Sequence, residues 1–204
     1  RRLVGSEMCI RDRLNCEIII WTTTPWTIPA NKALAYNKSL KYLIIEVSDD
    51  TNFKNKKFIV AKDLLNSFAD ECKIKKFQKI SEFSGNDFEG TICSHPFHNL
   101  GYDYDVPMLD ARFVTTEQGT GIVHCAPSHG PDDFNLCLNN GIKALETVDD
   151  DGKYTSNIPL FEGVHIFKAN AIVIDKLKEE KKLVFKGKLN HSYPHSWRSK
   201  APLV

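Results

Sequence analysis

The stretch GTGIVHCAPSHGPDDFNLCLNNG, residues 119–141, carries the clearest structural pattern in this sequence. Its apolar, β-branched start predicts a short strand, and Pro131 suits the first position of a helix because proline has no backbone N–H to leave unpaired. Asp132 and Asp133 would lie in the first helical turn, where carboxylates stabilise the positive end of the helix dipole. Gly141 can adopt the left-handed conformation that ends a helix. The stretch therefore predicts a strand, a turn and a helix in succession.

Further short strands are predicted on both sides of this stretch. The runs EIIIWT (17–22), KYLIIEV (41–47) and KFIVA (57–61) are apolar and rich in β-branched residues. The first run ends at the loop TTTPWTIPAN, where Pro25 cannot donate to a strand ladder. The remaining β-like segments lie between residues 74 and 114 and in KLVFKGKL at 182–189.

Two amphipathic helices complete the expected elements. Residues 62–72 and 169–182 place apolar side chains at helical spacing. The short strands do not alternate with long helices, which argues against a doubly wound sheet. We therefore expect an α/β (α+β) fold, with a barrel-like β core of short strands and a few surrounding helices.

The composition is that of an ordinary globular domain with little net charge. The chain has 204 residues and a formal net charge of +1, so no domain-wide basic field indicates a nucleic acid partner. Lysines cluster locally at 54–57, 73–79 and 176–188. The six cysteines form no CxxC pair, which favours a reducing cytoplasm over a disulfide framework. No apolar run approaches the roughly 20 residues of a membrane helix, so we expect no membrane association.

The two ends differ from the middle of the chain. Residues 1–13 show neither strand nor helix periodicity and no helix cap, so we interpret them as a non-native leader outside the fold. The final segment HSYPHSWRSKAPLV (191–204) stops on an apolar run without a terminating turn. We therefore expect the natural protein to continue beyond it.

Three separated peptides resemble one family. WTTTPWTIPANKAL (21–34) and GTGIVHCAPSHGPDDF (119–134) resemble the threonine-rich and GTG-histidine-aspartate peptides of the editing (CP1) insertion in the class I aminoacyl-tRNA synthetases for isoleucine, valine and leucine. HSYPHSWRSKAPL (191–203) resembles the segment by which that insertion returns to the catalytic body. Thr24 and Trp26 match the isoleucine enzymes, since the other two usually carry an arginine in a TTRP peptide.

The resemblance divides the chain into three parts. It implies that residues 14–190 form an editing domain with the class I editing-domain fold, and that residues 191–204 begin the return segment. The peptides of the HIGH and KMSKS types, which bind ATP in the catalytic body, are absent from the sequence. We therefore expect no cofactor in this fragment, with ATP and Mg²⁺ used only by the missing body.

The resemblance also implies hydrolytic proofreading. One missing methylene gives too little discrimination in an apolar pocket, a limitation for which the isoleucine enzyme itself is a standard example. The implied substrate is valine esterified to the 3′ acceptor end of isoleucine tRNA, and the rest of the parent synthetase acts in cis. Two alternatives stay open: a module that docks the tRNA acceptor end without hydrolysis, and the editing domain of a valine or leucine synthetase.

The resemblance assigns catalytic roles to five residues. Asp133 would hold the substrate's α-ammonium through a charge-assisted hydrogen bond. His124 would position the ester and exclude isoleucine. The hydroxyls that would bind the terminal adenosine, the ester and the attacking water belong to Thr22, Thr23 and Thr24. Each residue also has a structural explanation: Asp133 as a helix-dipole partner, the threonines as strand formers and His124 as a core residue.

Four further residues are candidates for substrate binding. Trp26 would form an apolar wall that limits side-chain size, and His129 lies in the following loop. Gly119 and Gly121 would allow the terminal nucleotide to approach the backbone closely. A core position for Trp26 and a tight turn for the two glycines explain the same residues without a ligand.

The sequence gives no clear nucleophile or metal site. Cys125 follows His124 on a predicted strand and would project to the opposite face, and no serine is paired with a base. We therefore predict direct attack by water. His95 and His98 lack a third ligand at suitable spacing, so we predict no metal.

Overall fold

A computed structural model of the chain describes residues 2–7, 16–49 and 51–187. The predicted return segment at 191–204 and most of the predicted leader lie outside the described residues. The strands are β1 (Arg2–Glu7), β2 (Glu17–Thr22), β3 (Ala33–Tyr36), β4 (Lys41–Val47), β5 (Lys57–Ala61), β6 (Phe77–Ser84), β7 (Ile92–Ser94), β8 (Asp105–Asp110), β9 (Val123–Cys125) and β10 (Leu183–Lys186). The α-helices are α1 (Leu65–Cys72), α2 (Pro131–Asn139) and α3 (Ile166–Glu179).

The strands form two mixed sheets. One sheet has six strands in the order β10-β1-β2-β5-β4-β6, and the other has four in the order β7-β8-β3-β9. The pairs β2–β5 and β3–β8 are parallel, and the other pairs are antiparallel. This mixed α/β arrangement with few helices confirms the predicted fold class.

Strand β2 is buried on both faces, which explains its unbroken apolar run. Ile18 and Ile20 pack in the largest core cluster, whereas Ile19 packs in a second cluster on the opposite face. Because both faces are covered, the strand is fixed in place up to its last residue, Thr22. The threonine-rich peptide therefore starts from a rigid point of the fold.

The local patterns located most of these elements. Strands β2, β4 and β5 have the predicted bounds, α2 begins at Pro131, and Gly141 follows α2 with φ of +75°. Helix α3 begins at Ile166, three residues before the predicted range. The His165 side chain causes this earlier start, because its Nδ1 accepts a hydrogen bond from the backbone N–H of Phe167 at 3.3 Å.

Two segments differ from expectation. Residues 2–7, which we placed outside the fold, form β1 between β2 and β10. Backbone groups make these pairings, so a sequence without side-chain periodicity can still take part. Whether residues 1–13 are native stays a prediction. The expected loop after β2 contains a buried 3₁₀ helix, Pro25–Ala30, which leads into β3.

Strand β3 brings the two family-like peptides together. It pairs antiparallel with β9, so that Leu34 lies opposite His124. The 3₁₀ helix before β3 therefore lies beside the strand that carries His124. No helix in the described part of the chain is long and apolar enough to cross a membrane.

Candidate functional site

The three threonines lie where β2 turns into the 3₁₀ helix. The Oγ1 of Thr22 accepts a hydrogen bond from the backbone N–H of Thr24 at 3.0 Å, and the two hydroxyl oxygens are 3.4 Å apart. Thr22 is buried, whereas Thr23 and Thr24 are half-buried. Thr22 therefore holds the turn, and the other two threonines remain partly open to solvent.

His124 is joined to this peptide through Thr27. The Thr27 hydroxyl donates to the backbone carbonyl of Thr24 at 2.8 Å and lies 3.3 Å from Nε2 of His124. A hydroxyl has one hydrogen, so the same oxygen accepts the second bond, which assigns the imidazole proton to Nε2. The remaining ring nitrogen, Nδ1, is buried and has no hydrogen-bond partner among the described residues.

Burial keeps the His124 ring neutral. Burial, with a smaller contribution from the nearby His129, lowers the pKa of His124 to about 4. Nδ1 is therefore a bare acceptor at neutral pH. A buried acceptor without a partner is costly, so this nitrogen is suited to receive a donor from a bound molecule.

The role of Thr27 was not predicted from the sequence. This residue follows Thr24 by three positions, and residues three apart lie on the same side of a 3₁₀ helix. The spacing becomes informative only when the segment is known to be helical. Pro25 and Pro29 instead made the segment look like an irregular loop.

The Asp133 side chain extends from α2 toward the end of β9. Its Oδ2 accepts a hydrogen bond from the backbone N–H of Ala126 at 2.9 Å. Burial raises the pKa of Asp133, the Ala126 N–H lowers it, and the neighbouring Asp132 raises it. Asp132 is exposed in the first turn, as the helix-dipole role requires. Asp133 is thus the half-buried member of this acidic pair and lies beside the strand that carries His124.

Trp26 and His129 form the wall of a groove. Their rings meet edge to face with centroids 4.7 Å apart, and Nε2 of His129 lies 2.8 Å from the Thr147 hydroxyl. We call this cavity of about 530 Å³ the Trp26 groove. Its lining residues are Trp26, Ser128, His129, Leu145, Glu146, Thr147, Val148, Asp149, Asp150, Asp151, Gly152, His165, Ile166 and Phe167.

The backbone of Trp26 is held on both sides. Its N–H donates to Oδ1 of Asn170 on α3 at 3.1 Å, and its carbonyl accepts a hydrogen bond from the Tyr154 hydroxyl. Of the nine predicted site residues, Trp26 and His129 line the Trp26 groove. His124 and the threonines connect to it through Thr27, the residue next to Trp26.

Packing explains the conformations of the two candidate glycines. Gly119 and Gly121 have φ of +85° and +75°, which glycine adopts without strain. A Cβ at Gly121 would lie 2.3 Å from the Cβ of Ala61, and one at Gly119 would lie 3.4 Å from the Cβ of Trp21. These contacts support the tight-turn interpretation, while their approach to a nucleotide stays a prediction.

The side chains of His95 and Cys125 both have structural roles in the fold. His95 donates from Nε2 to the Ile28 carbonyl at 3.0 Å and accepts at Nδ1 from the Phe97 N–H at 3.1 Å, so neither nitrogen is left for a metal. Within the described ranges no group of three or more His, Cys, Asp or Glu side chains could hold a metal ion. Cys125 packs with Ala33 in a separate core cluster, and burial raises its pKa well above the ordinary value.

Two buried histidines, His95 and His124, and the half-buried His129 predict acid sensitivity. Burial lowers the pKa of His95 to about 3 and those of His124 and His129 to about 4. In the unfolded chain each would titrate near 6.5. As the pH falls from 6.5 toward 4, the unfolded state therefore binds protons that the folded state does not, and the free energy of unfolding decreases.

We expect these histidines to steepen the loss of stability between pH 6.5 and 5 by up to about 4 kcal/mol per pH unit. Urea unfolding at several pH values in this window measures the slope, above the range where most carboxylates titrate. A free energy of unfolding that stays constant over the window would contradict the assignment of neutral rings at these three positions.

Comparison with known proteins gives close sequence relatives. The isoleucine–tRNA ligase of Pelagibacter ubique is 72% identical over 195 residues, which cover 96% of this chain and 22% of the ligase. The isoleucine–tRNA ligase of Gluconobacter oxydans is 46% identical over 202 residues, covering 91% of this chain and 21% of that protein. The chain therefore spans about a fifth of the length of these curated relatives. No protein-family model matches it.

Solved structures share the fold at low sequence identity. The CP1 domain of a leucyl-tRNA synthetase superposes with a TM-score of 0.70 at 14% identity, over 93% of this chain and 99% of that one. The editing domain of the cytosolic leucyl-tRNA synthetase of P. knowlesi gives a TM-score of 0.67 at 11% identity, over 89% of this chain and 94% of that one.

Proposed function

We infer that this chain, a homologue of the isoleucine–tRNA ligases with the fold of a synthetase editing domain, hydrolyses the ester between valine and isoleucine tRNA. The tRNA presents this ester at its 3′ acceptor end. Activation of the amino acid with ATP and Mg²⁺ belongs to the rest of the ligase, which acts in cis. The hydrolysis itself uses water and no cofactor.

The hydrogen-bonded chain from Thr24 through Thr27 to His124 carries this proposal. It joins two peptides that lie 97 residues apart in sequence, and it leaves the bare Nδ1 of His124 without a donor from the part of the chain that the structure describes. Nδ1 can accept a hydrogen bond from the attacking water or from a ribose hydroxyl. With a pKa of about 4, the ring orients the water and is too weak a base to deprotonate it efficiently.

Charge and size explain the choice of substrate. Asp133 supplies the half-buried carboxylate for the α-ammonium, while its Oδ2 stays fixed by the Ala126 N–H. Trp26 limits the space for the amino-acid side chain. Water attacks the ester carbon, the bond from that carbon to the ribose oxygen breaks, and the ribose oxygen takes the proton that water gives up. The products are valine and uncharged tRNA.

The two alternative functions differ in how well the observations support them. Identity of 72% to an isoleucine–tRNA ligase, against 14% to the leucyl-tRNA synthetase structure, favours isoleucine tRNA over leucine tRNA. A docking module without hydrolysis would need neither a bare buried acceptor nor a half-buried carboxylate in the same region. The direct test of both alternatives is turnover.

We expect the chain to hydrolyse valyl ester on isoleucine tRNA at least about tenfold faster than isoleucyl ester, because a site closed by the Trp26 wall excludes the larger side chain sterically, and overpacking by one methylene costs about 1–3 kcal/mol. Release of radiolabelled amino acid from each charged tRNA measures the two rates. Equal rates would contradict selective editing. Tight tRNA binding without release of valine would identify a docking module.

A further inference from the structure

A second groove lies at the other end of α3. We call it the lysine groove, since Lys178, Lys181 and Lys186 surround it, with Phe53 and Phe185 among its lining residues. It encloses about 570 Å³, and both phenylalanines are half-buried. Its other lining residues are Asn52, Lys56, Leu183 and Val184.

Three lysines place positive charge at this groove. Among the described residues, no ion pair involves the three lysines that surround it. The nearby acidic groups are held by other lysines: Lys176 bonds to Glu179 at 3.1 Å and to Glu180 at 3.0 Å, and Lys56 bonds to Glu17 at 2.8 Å. The groove is therefore a local positive patch on a chain whose formal net charge is only +1.

We propose that the lysine groove binds the phosphate backbone of the tRNA acceptor strand, upstream of the ester. Ammonium groups neutralise phosphates, and aromatic faces can stack on unpaired bases. This combination of lysines and half-buried phenylalanines fits a single-stranded nucleic acid. The inference rests on the proposed function, because it extends the path of the same substrate across the domain.

Helix α3 gives the spacing between the two grooves. Phe167, in its first turn, lines the Trp26 groove, and Lys178, in its last turn, lines the lysine groove. At a rise of 1.5 Å per residue these positions are about 16 Å apart along the helix axis. A stacked strand advances roughly 3.4 Å per nucleotide, so the span corresponds to about five nucleotides. An acceptor end seated in the Trp26 groove can therefore reach the lysines.

The test measures affinity for a labelled RNA hairpin with an unpaired 3′ end of seven nucleotides, which is long enough to reach from the Trp26 groove to the lysine groove as a single strand. The variant Lys178→Gln/Lys181→Gln/Lys186→Gln removes three charges and keeps most of each side-chain stem. We expect it to bind at least about tenfold more weakly at low salt, and the slope of log affinity against log salt to fall by about 2 to 3.

A control variant removes the same charge elsewhere. Lys75, Lys76 and Lys79 are exposed and line neither groove, so their replacement by glutamine should leave the salt slope within about one unit of the wild type. Equal losses in the two variants would overturn the inference, as would unchanged affinity in the groove variant or no RNA binding by the wild type at low salt. Loss of binding to phosphatidylserine vesicles with unchanged RNA affinity would overturn it in favour of a lipid surface.

Hydrolysis assays separate this inference from the proposed function. If wild type and groove variant release valine equally fast at saturating tRNA while the variant binds more weakly, both proposals hold. If the wild type binds RNA through these lysines and releases no valine, the proposed hydrolysis fails while the binding surface stands. If valine is released and the wild type and the groove variant bind RNA with the same affinity, only the present inference fails.

Discussion

Replacing Asp133 by asparagine should lower kcat/KM for valyl-ester hydrolysis by between roughly 30-fold and several thousandfold, because removing one member of a close, desolvated charge pair costs about 2–5 kcal/mol. The asparagine oxygen can still accept the hydrogen bond from the Ala126 N–H, so the contact between α2 and the end of β9 is kept. The substitution therefore removes the charge and leaves the architecture in place. Release of valine from charged tRNA measures the effect.

Asp132 provides the matched control for this experiment. It is the adjacent carboxylate in the same helical turn, and it is exposed. Asp132→Asn should change kcat/KM by less than about threefold, since it removes the same charge from a solvated position. Comparable losses in the two variants would show that the helix needs acidic residues at its start and would refute a specific ammonium contact at Asp133.

The second large effect is on stability. Gly121→Ala should lower the free energy of unfolding by about 3 kcal/mol, since the left-handed φ costs about 1–2 kcal/mol and overpacking adds about 1–3 kcal/mol. The added methyl group would meet the Cβ of Ala61 at 2.3 Å. Urea unfolding compares the variant with the wild type.

Gly163 separates the two contributions. Its φ of +74° matches the +75° of Gly121, and nothing lies within 4 Å of an added Cβ. Gly163→Ala should therefore cost only the conformational part, about 1–2 kcal/mol. Combining Ala61→Gly with Gly121→Ala should recover part of the lost stability. If Gly121→Ala is instead as stable as the wild type but fails to hydrolyse the ester, the glycine serves the nucleotide and not the packing.

Local sequence patterns predicted the elements whose formation depends on interactions between residues close in sequence. The apolar run of β2 and the proline at the start of α2 are short-range signals, and the structure has both. Strand β1 depends on backbone pairing with β2 and with β10, which lies near the other end of the sequence. Such pairing leaves no period in the side chains, so sequence reasoning could not place residues 2–7.

The candidate site was predicted only in part, for a similar reason. The resemblance supplied the threonines, His124 and Asp133, but it gave no account of how they meet. Thr27 links two of these groups, and its role depends on a 3₁₀ turn that the prolines concealed. Thr147 forms a hydrogen bond with His129 from a segment whose fold comes mainly from turns, where periodicity gives no guidance.

The pairing of β3 with β9 also bears on how fast the domain forms. Thr27 and His124 are separated by 97 residues, so the chain must close a long loop before either gains its partner. Contacts of such high sequence separation are associated with slow folding, in the range of milliseconds to seconds. During synthesis the threonine-rich peptide leaves the ribosome well before β9. Until β9 has been synthesised, β2 lacks part of the core that buries it in the folded domain. We therefore expect the nascent domain to pass through a stage in which its most apolar strand is open to aggregation or to chaperones.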